Sequence, residues 1–377
     1  APQFTNISIN GEQIPSPEAG VRFVALDAIP ADQLSSIEVS KALTPDMDGD
    51  AIGGSVNLIT RKAKSSDLEI QGTTVGGYND LMGEPNGQGS LMLGKRFGAN
   101  QQFGVLINGS HYYTDRGSDN WEREGDEVEL RDYELRRTRS AASATFDYRI
   151  NPNNEIYFRA IHNSFTDREW RRRFVLIPNV DESPFEDNEI EQLTKDRYER
   201  QDITSFNLGG VHRLPGINID YEFSYSNALQ DTPFDYEVNF IAEPDELSFD
   251  FSDPDFPEII TNSDFDLLDN SQYEFDEFER ENTFTEDENI TGKINIGIPY
   301  DLAGNQGLLK FGAKYRAKTK YLEIESDVFE WAGGDIEFEG QSGDFTVEKF
   351  EGGLVDDNLL DGQYELSAFP ERDRFVR

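Results

Sequence analysis

From about residue 67 onward the chain alternates apolar and polar side chains. Ile217, Ile219, Tyr221, Phe223 and Tyr225 share one face of an extended segment, and Asn218, Asp220, Glu222 and Ser224 share the other. Ile290, Gly292, Ile294, Ile296 and Ile298 likewise oppose Thr291, Lys293 and Asn295. Leu309, Phe311, Ala313, Tyr315 and Ala317 oppose Lys310, Gly312, Lys314, Arg316 and Lys318. A period of two sets one face against apolar surroundings and the other against polar ones. Weaker versions at about 68–78, 87–97, 102–113, 136–150, 155–166 and 198–214 bring the expected number of strands to roughly nine. The apolar set, Leu309, Phe311, Tyr315, Ile294, Ile296, Tyr221 and Phe223, is expected to face outward.

The connections sort by length. Short turns are expected at Gly98–Gln101, Asn151–Asn154, Pro215-Gly216 and Asp301–Gln306, and long polar loops at 114–135, 167–197, 229–288 and after 326. Strands whose turns are short at one end and long at the other are the mark of an outer-membrane barrel. A soluble sandwich has no reason to sort its loops this way. Residues 1–66 have a different texture: a short strand at Phe4–Ile9, an Asn10-Gly11 turn, a Pro-rich loop from Glu12 to about Arg22, a helical turn opened by Pro30, and strands at Ile37–Val39 and Ser55–Thr60. The expected architecture is therefore mainly β: part of a small α/β unit over 1–66, then an antiparallel up-and-down transmembrane β-barrel portion over 67–377.

Composition narrows the partners. A formal charge of -40 makes nucleic acid a poor one. The chain has no cysteine, which leaves out disulfides and thiolate metal sites. No apolar run reaches the ~18 residues of a membrane-crossing helix, but barrel strands need only ~9–11 alternating residues. A mean hydropathy of -0.65 with 12% aromatic residues fits such strands joined by polar loops. No nucleophile elbow, HExxH or phosphate loop is present, so no enzymatic activity is expected.

Residues 29–63 read IPADQLSSIEVSKALTPDMDGDAIGGSVNLITRKA. Ile29, Pro30, Ile37, Glu38, Val39, Lys41, Ala51, Gly53, Gly54, Val56, Asn57, Leu58 and Thr60 resemble the plug signature of TonB-dependent outer-membrane receptors, and Asn10-Gly11 resembles that family's upstream turn. The PDMDGDAIGG wording is similar to a subgroup common in glycan-scavenging Gram-negative bacteria. The resemblance implies an active transporter of the cell outer membrane. Its partners would be TonB and the inner-membrane energising complex, outer-membrane lipid, and a scarce bulky solute, an oligosaccharide or a ferric siderophore. The family barrel has 22 strands around a plugged lumen, so the chain is expected to be a fragment lacking the TonB box and the later strands. The rival expectation is an acidic, calcium-binding structural or adhesive β protein of the cell surface.

The resemblance places Glu12–Phe23 at the plug apex, with Gln13, Ser16, Glu18, Arg22 and Phe23 as ligand contacts. Trp121, Trp170 and Trp331 fall in the expected long loops, where they would stack on a ring ligand or pin loop to loop. Lys310, Lys314, Arg316 and Lys318 form a basic stripe expected to face the lumen, pairing with acidic groups or drawing anionic solutes. No resident cofactor is expected. The 229–288 stretch is rich enough in carboxylates to order around calcium, whereas Asp46–Asp50 lacks the glycine and glutamate of a calcium loop.

Overall fold

The computed structural model describes residues 4–370 except 22–23, 25, 43, 45–46, 50–52, 181–187, 331–335, 339–340, 344–345 and 350–355. Its first unit is a four-stranded sheet of β1 (Thr5–Ile9), β2 (Glu12–Gln13), β3 (Leu34–Ser40) and β4 (Gly54–Thr60), in the order β2-β1-β4-β3. β1 and β4 run parallel, and the other pairs are antiparallel. Asn10 and Gly11 both have positive φ, 54° and 88°, which a two-residue hairpin turn requires. Gly54 is forced by two things. Its φ is +123°, and a Cβ there would lie 2.8 Å from the Ser40 carbonyl oxygen. Two motif side chains tie the strands together. Asn57 accepts from the Gly11 amide at 2.8 Å and donates to Glu38 at 3.1 Å.

The second unit is one nine-stranded antiparallel sheet. It comprises β5 (Glu69–Asn79), β6 (Glu84–Phe97), β7 (Phe103–Glu124), β8 (Glu127–Asn151), β9 (Asn154–Ile177), β10 (Glu189–Leu214), β11 (Ile217–Ala242), β14 (Glu274–Leu302) and β15 (Asn305–Glu330). A small hairpin, β12 (Leu247–Asp250) with β13 (Glu258–Thr261), interrupts the connection from β11 to β14. Every strand pairs with its neighbours along the chain, so the meander is up-and-down, and among the described residues it is an open sheet.

The expected long loops are corrected. β7 runs to Glu124 and β8 restarts at Glu127; β9 runs to Ile177 and β10 begins at Glu189; β11 reaches Ala242 and β14 begins at Glu274. Most of 114–135, 167–197 and 229–288 is therefore strand. Between the apolar band and the apolar ends of the strands these extensions are polar on both faces, which interrupts the period-two signal while the backbone ladder continues. Cross-strand pairs such as Arg168–Asp196 (2.7 Å) occupy the faces instead.

The two faces of the sheet differ. On one face the first turns of the strands carry Phe223, Tyr221, Ile294, Phe311 and Tyr315, all exposed, with Ile296 half-buried among them. Phe97, Phe103, Phe146, Phe158 and Phe206 form a row across five strands, with ring centroids 6.3 to 6.5 Å apart. Higher on this face the side chains turn ionic: Asp115, Arg136, Arg168, Arg200 and Asp202. The apolar band thus covers only part of strands that run 22 to 29 residues. The opposite face is polar below and receives the small unit. Ile7, Ile9, Ile14, Ile29 and Leu58 of that unit form one buried cluster with Ile161, Phe165, Ile203 and Ala228 of the sheet.

A second core lies at the far end of the outer face. Val128, Leu130, Phe174, Leu176, Ile190, Val238 and Phe240 are buried there beneath Leu247, Tyr273, Val347, Leu359, Leu366 and Phe369. Strand alternation puts Phe174 on the side of Phe158, so the 243–273 connection folds outward and away from the small unit.

Candidate functional site

The segment after β2, Ile14 to Gly20, rises along the polar face of the large sheet. Pro15 and Pro17 hold it extended. Lys320 of β15 donates to the Glu18 carbonyl at 2.7 Å and the Val21 carbonyl at 3.2 Å, and the Ala19 amide donates to Gln230 of β11 at 3.2 Å. A cavity of 430 Å³ opens beside this tip, between Glu18, Ala19 and the side chains of β8 to β11, β14 and β15.

Its lining is ionic and amide-rich. Arg137 grips Asp167 through two bonds, 3.1 and 3.0 Å. Arg197 bonds Glu169 at 2.7 Å. Gln201 and Gln230 both donate to Glu199, at 2.9 Å each. Lys195 pairs with Asp235 at 3.0 Å. Phe165 and Ile324 are the large apolar groups among the lining residues. Burial pushes the carboxyls of Glu199 and Asp235 above the ordinary range, although Arg197 and Lys195 respectively pull the other way.

Above the cavity, on the same face, Arg171 and Arg173 converge on Glu237 at 2.9 and 3.3 Å, and Arg131 bonds Glu129. At this end Glu191 is pushed up to about 7, by burial first and then by the neighbouring Glu189 carboxylate. Its folded value exceeds its ordinary 4.5, so the folded state holds the extra proton in between. Stability falls as pH rises from about 4.5 to about 7. Glu191→Gln is therefore expected to unfold at a higher urea concentration than the parent at pH 8 and at the same concentration at pH 4. Equal midpoints at pH 8 would refute this.

No protein-family model and no curated protein matches the chain. Solved structures do. BauA, the ferric preacinetobactin receptor of Acinetobacter baumannii, is 12% identical, with 85% of this chain and 53% of that chain covered and a TM-score of 0.28. PfeA, the ferric enterobactin receptor of Pseudomonas aeruginosa, is 10% identical, with 83% and 64% covered and a TM-score of 0.35. The copper transporter OprC is 10% identical, with 84% and 53% covered and a TM-score of 0.34. The chain thus spans little more than half the length of most of these structures. Motif-bearing sheet and up-and-down meander stand together here in one fold. The chain resembles TonB-dependent outer-membrane receptors.

The basic stripe of β15 holds the small sheet to the polar face of the large one. Lys314 reaches Glu12 at 3.1 Å and Asp48 at 3.2 Å, and Arg316 reaches Asp48 at 2.5 Å and Gln13 at 2.6 Å. Lys293 bridges Glu12 at 2.5 Å and Glu222 at 3.4 Å. Lys318 pairs with Asp287 at 2.7 Å. Lys310 also has a polar or ionic contact. Gln13 is thus occupied by Arg316 rather than turned to a ligand, and Ser16 is buried, 1% exposed. Glu18 is the apex residue that lines the cavity. Arg22, Phe23 and Trp331 lie outside the described residues.

The tryptophans need correction. Trp121 and Trp170 sit within β7 and β9, and alternation aims both at the outer face, away from the cavity. Trp121 pins the 243–273 connection, donating to the Asp255 carbonyl at 2.6 Å. Calcium has no ready cage either. Among the described residues no three His, Asp or Glu side chains converge as metal ligands, and Asp48 is engaged by Lys314 and Arg316. The cavity residues on β8 to β11 went unnoticed in the sequence, although Arg171-Arg172-Arg173 is a conspicuous run in so acidic a chain.

Proposed function

We propose that this chain is part of a TonB-dependent transporter of the Gram-negative outer membrane, binding its solute between the plug apex and the walls of the barrel. One observation carries the reading: the motif-bearing plug sheet is docked on the polar face of a meander whose other face is apolar, with an ionic cavity left open at the plug tip. The apolar face supplies the contact with lipid. The plug blocks the polar face until it is moved, which is the task of TonB and the energising complex behind it. Transport rather than catalysis is the activity this arrangement serves.

The lining favours a hydroxyl-rich, uncharged solute. Glu18, Asp167, Glu199, Asp235 and Glu281 outnumber Arg137 and Arg197, so a polyanion is repelled. Paired carboxylates, guanidiniums and amides offer alternating acceptors and donors, which suits an oligosaccharide better than a ferric siderophore of high negative charge.

The test uses the full-length gene product, assayed by calorimetry against neutral oligosaccharides and ferric siderophores. Gln230→Ala removes the link between Ala19 and Glu199 and is expected to weaken oligosaccharide binding by about tenfold, one bond to a charged group. Tight siderophore binding with no oligosaccharide binding would reverse the ligand class. Uptake that persists without TonB would refute the transporter reading.

A further inference from the structure

The polar face of the large sheet carries a second cavity, of 300 Å³, on β5 to β7. We infer that it is a second sugar subsite, holding one ring of the same oligosaccharide that lies in the cavity beside Glu18. The inference rests on the oligosaccharide reading above and gives that solute a length and a direction. Two hydrogen bonds fix the face. Gln88 of β6 donates to the Asp32 carboxylate of the small unit at 3.2 Å, and Asn108 of β7 donates to the Asp32 carbonyl at 2.7 Å. Gln88 lines the cavity, and strand alternation puts Tyr112 and Thr114 on the side of Asn108.

Thr114 is the group that asks for a ligand. It is 3% exposed and lines the cavity, and its hydroxyl has no hydrogen-bond partner among the described residues. A buried hydroxyl left alone is costly, and a ligand hydroxyl would satisfy it. Asn79 and Asn86 accept backbone N–H groups, from Met82 at 2.9 Å and from Asp115 at 2.7 Å. Each amide is thereby oriented, with its NH2 as the group left to donate. Tyr112 supplies a ring, with Arg139 at 5.4 Å from its centre and Arg116 donating to its hydroxyl at 3.5 Å. A pyranose has the matching character: a face of C–H bonds that lies on an aromatic ring, and a rim of hydroxyls that donate and accept. Among the described residues the lining holds no carboxylate, in a chain of charge -40.

Gly77 makes the room. A Cβ there would meet only the Asn86 Cβ, at an ordinary 3.6 Å, so the space is open because this position has no side chain. The volume is at the lower end of ligand pockets and suits a single ring. The two cavities adjoin along one row of the ladder. Thr114 stands opposite Arg137, Arg137 opposite Asp167, and Asp167 opposite Glu199, and the last three line the first cavity. From β6 to β10 that row crosses four strand spacings, about 19 Å. This is longer than one sugar and fits a linear chain of several units lying across the strands.

Calorimetry tests this with gluco-, xylo- and manno-oligosaccharides, each as a series from the disaccharide to a long oligomer. In the series that binds, affinity should rise with length until both cavities are spanned. Gly77→Leu fills the second cavity without a clash, and Tyr112→Ala removes its ring. Both should weaken the long oligomer by about tenfold and leave the disaccharide unchanged, whereas Tyr112→Phe should keep the parent's affinity. Thr114→Val should weaken the long oligomer severalfold yet raise the urea midpoint of the free protein, because the lone hydroxyl is gone. A merely structural threonine would instead lower that midpoint, and that result overturns its role here. If Tyr112→Ala does not fold, Gly77→Leu decides. Unchanged long-oligomer affinity in Gly77→Leu, or equal losses for short and long oligomers, overturns the second subsite alone. A parent protein that binds none of the three series refutes the oligosaccharide reading itself, which separates the two failures.

Discussion

An Arg96→Met variant is expected to lose about 3–5 kcal/mol of stability, the cost of leaving one member of a buried ion pair alone. Arg96 and Asp147 have side chains 0% and 1% exposed, and the guanidinium meets the carboxylate at 2.5 and 3.1 Å. The same guanidinium also donates to three backbone carbonyls, Ala63 at 3.0 Å, Gln101 at 2.8 Å and Gln102 at 3.2 Å. It thus joins the segment that follows β4, the β6–β7 turn and β8 in one knot. Gly104 leaves room for it, since a Cβ there would come within 2.5 Å of the guanidinium. Removing the arginine strands a carboxylate out of water. Arg96→Met with Asp147→Leu should recover much of the loss, because an apolar pair of similar volume carries no desolvation debt. Urea unfolding of the protein reads both changes. A single variant within 1 kcal/mol of the parent would contradict the role given to this pair; about that much separates a surface substitution from a core one.

Phe223→Arg is expected to cost about 2–4 kcal/mol in vesicles, the penalty for a cation on the lipid face near the middle of the bilayer. Phe223 is 54% exposed on the outer face, between Leu208 of β10 and Gly292 of β14. Leu229→Arg, six residues higher on the same face and opposite Glu286, should cost only about 0–1 kcal/mol, because the penalty decays toward the interface. The contrast is the measurement. Equal costs at the two heights would mean that the apolar band is not a lipid contact.

The architecture was readable where one face was apolar. β11, β14 and β15 alternate cleanly at 217–225, 290–298 and 309–317, and their order in the sheet follows the chain. Asn10-Gly11 and Pro215-Gly216 announced turns that only a few residue types can make. The upper halves of the strands were hidden because Arg168, Arg172, Asp132 and Asp196 fill a face that would otherwise be apolar, and polar positions on both sides look like loop. That error carried Trp170 with it. Counting by twos from Phe158 would have assigned it to the outer face. Among the cavity residues, Glu18 could be approached through the motifs of the small unit, whereas Arg137, Asp167, Glu199 and Gln230 lie far apart in sequence and meet only through the ladder register. Arg96 gave no signal at all, since a single arginine in a strand says nothing of the aspartate 51 residues away.

In the membrane reading proposed above, the length of β8 to β11 sets how far the sheet stands clear of the bilayer. Some fifteen residues of each strand stand above the apolar band, and at ~3.3 Å of rise per residue and a tilt near 40° they build a rampart roughly 40 Å tall. The tip at Glu18 and Ala19 lies at the foot of that rampart. In the transporter proposed above, a large protein arriving from outside would meet the ends of these strands and the 243–273 connection packed on them before it reached the tip. On that reading, substitutions at the strand ends would alter what is met from outside while leaving the cavity beside Glu18 unchanged.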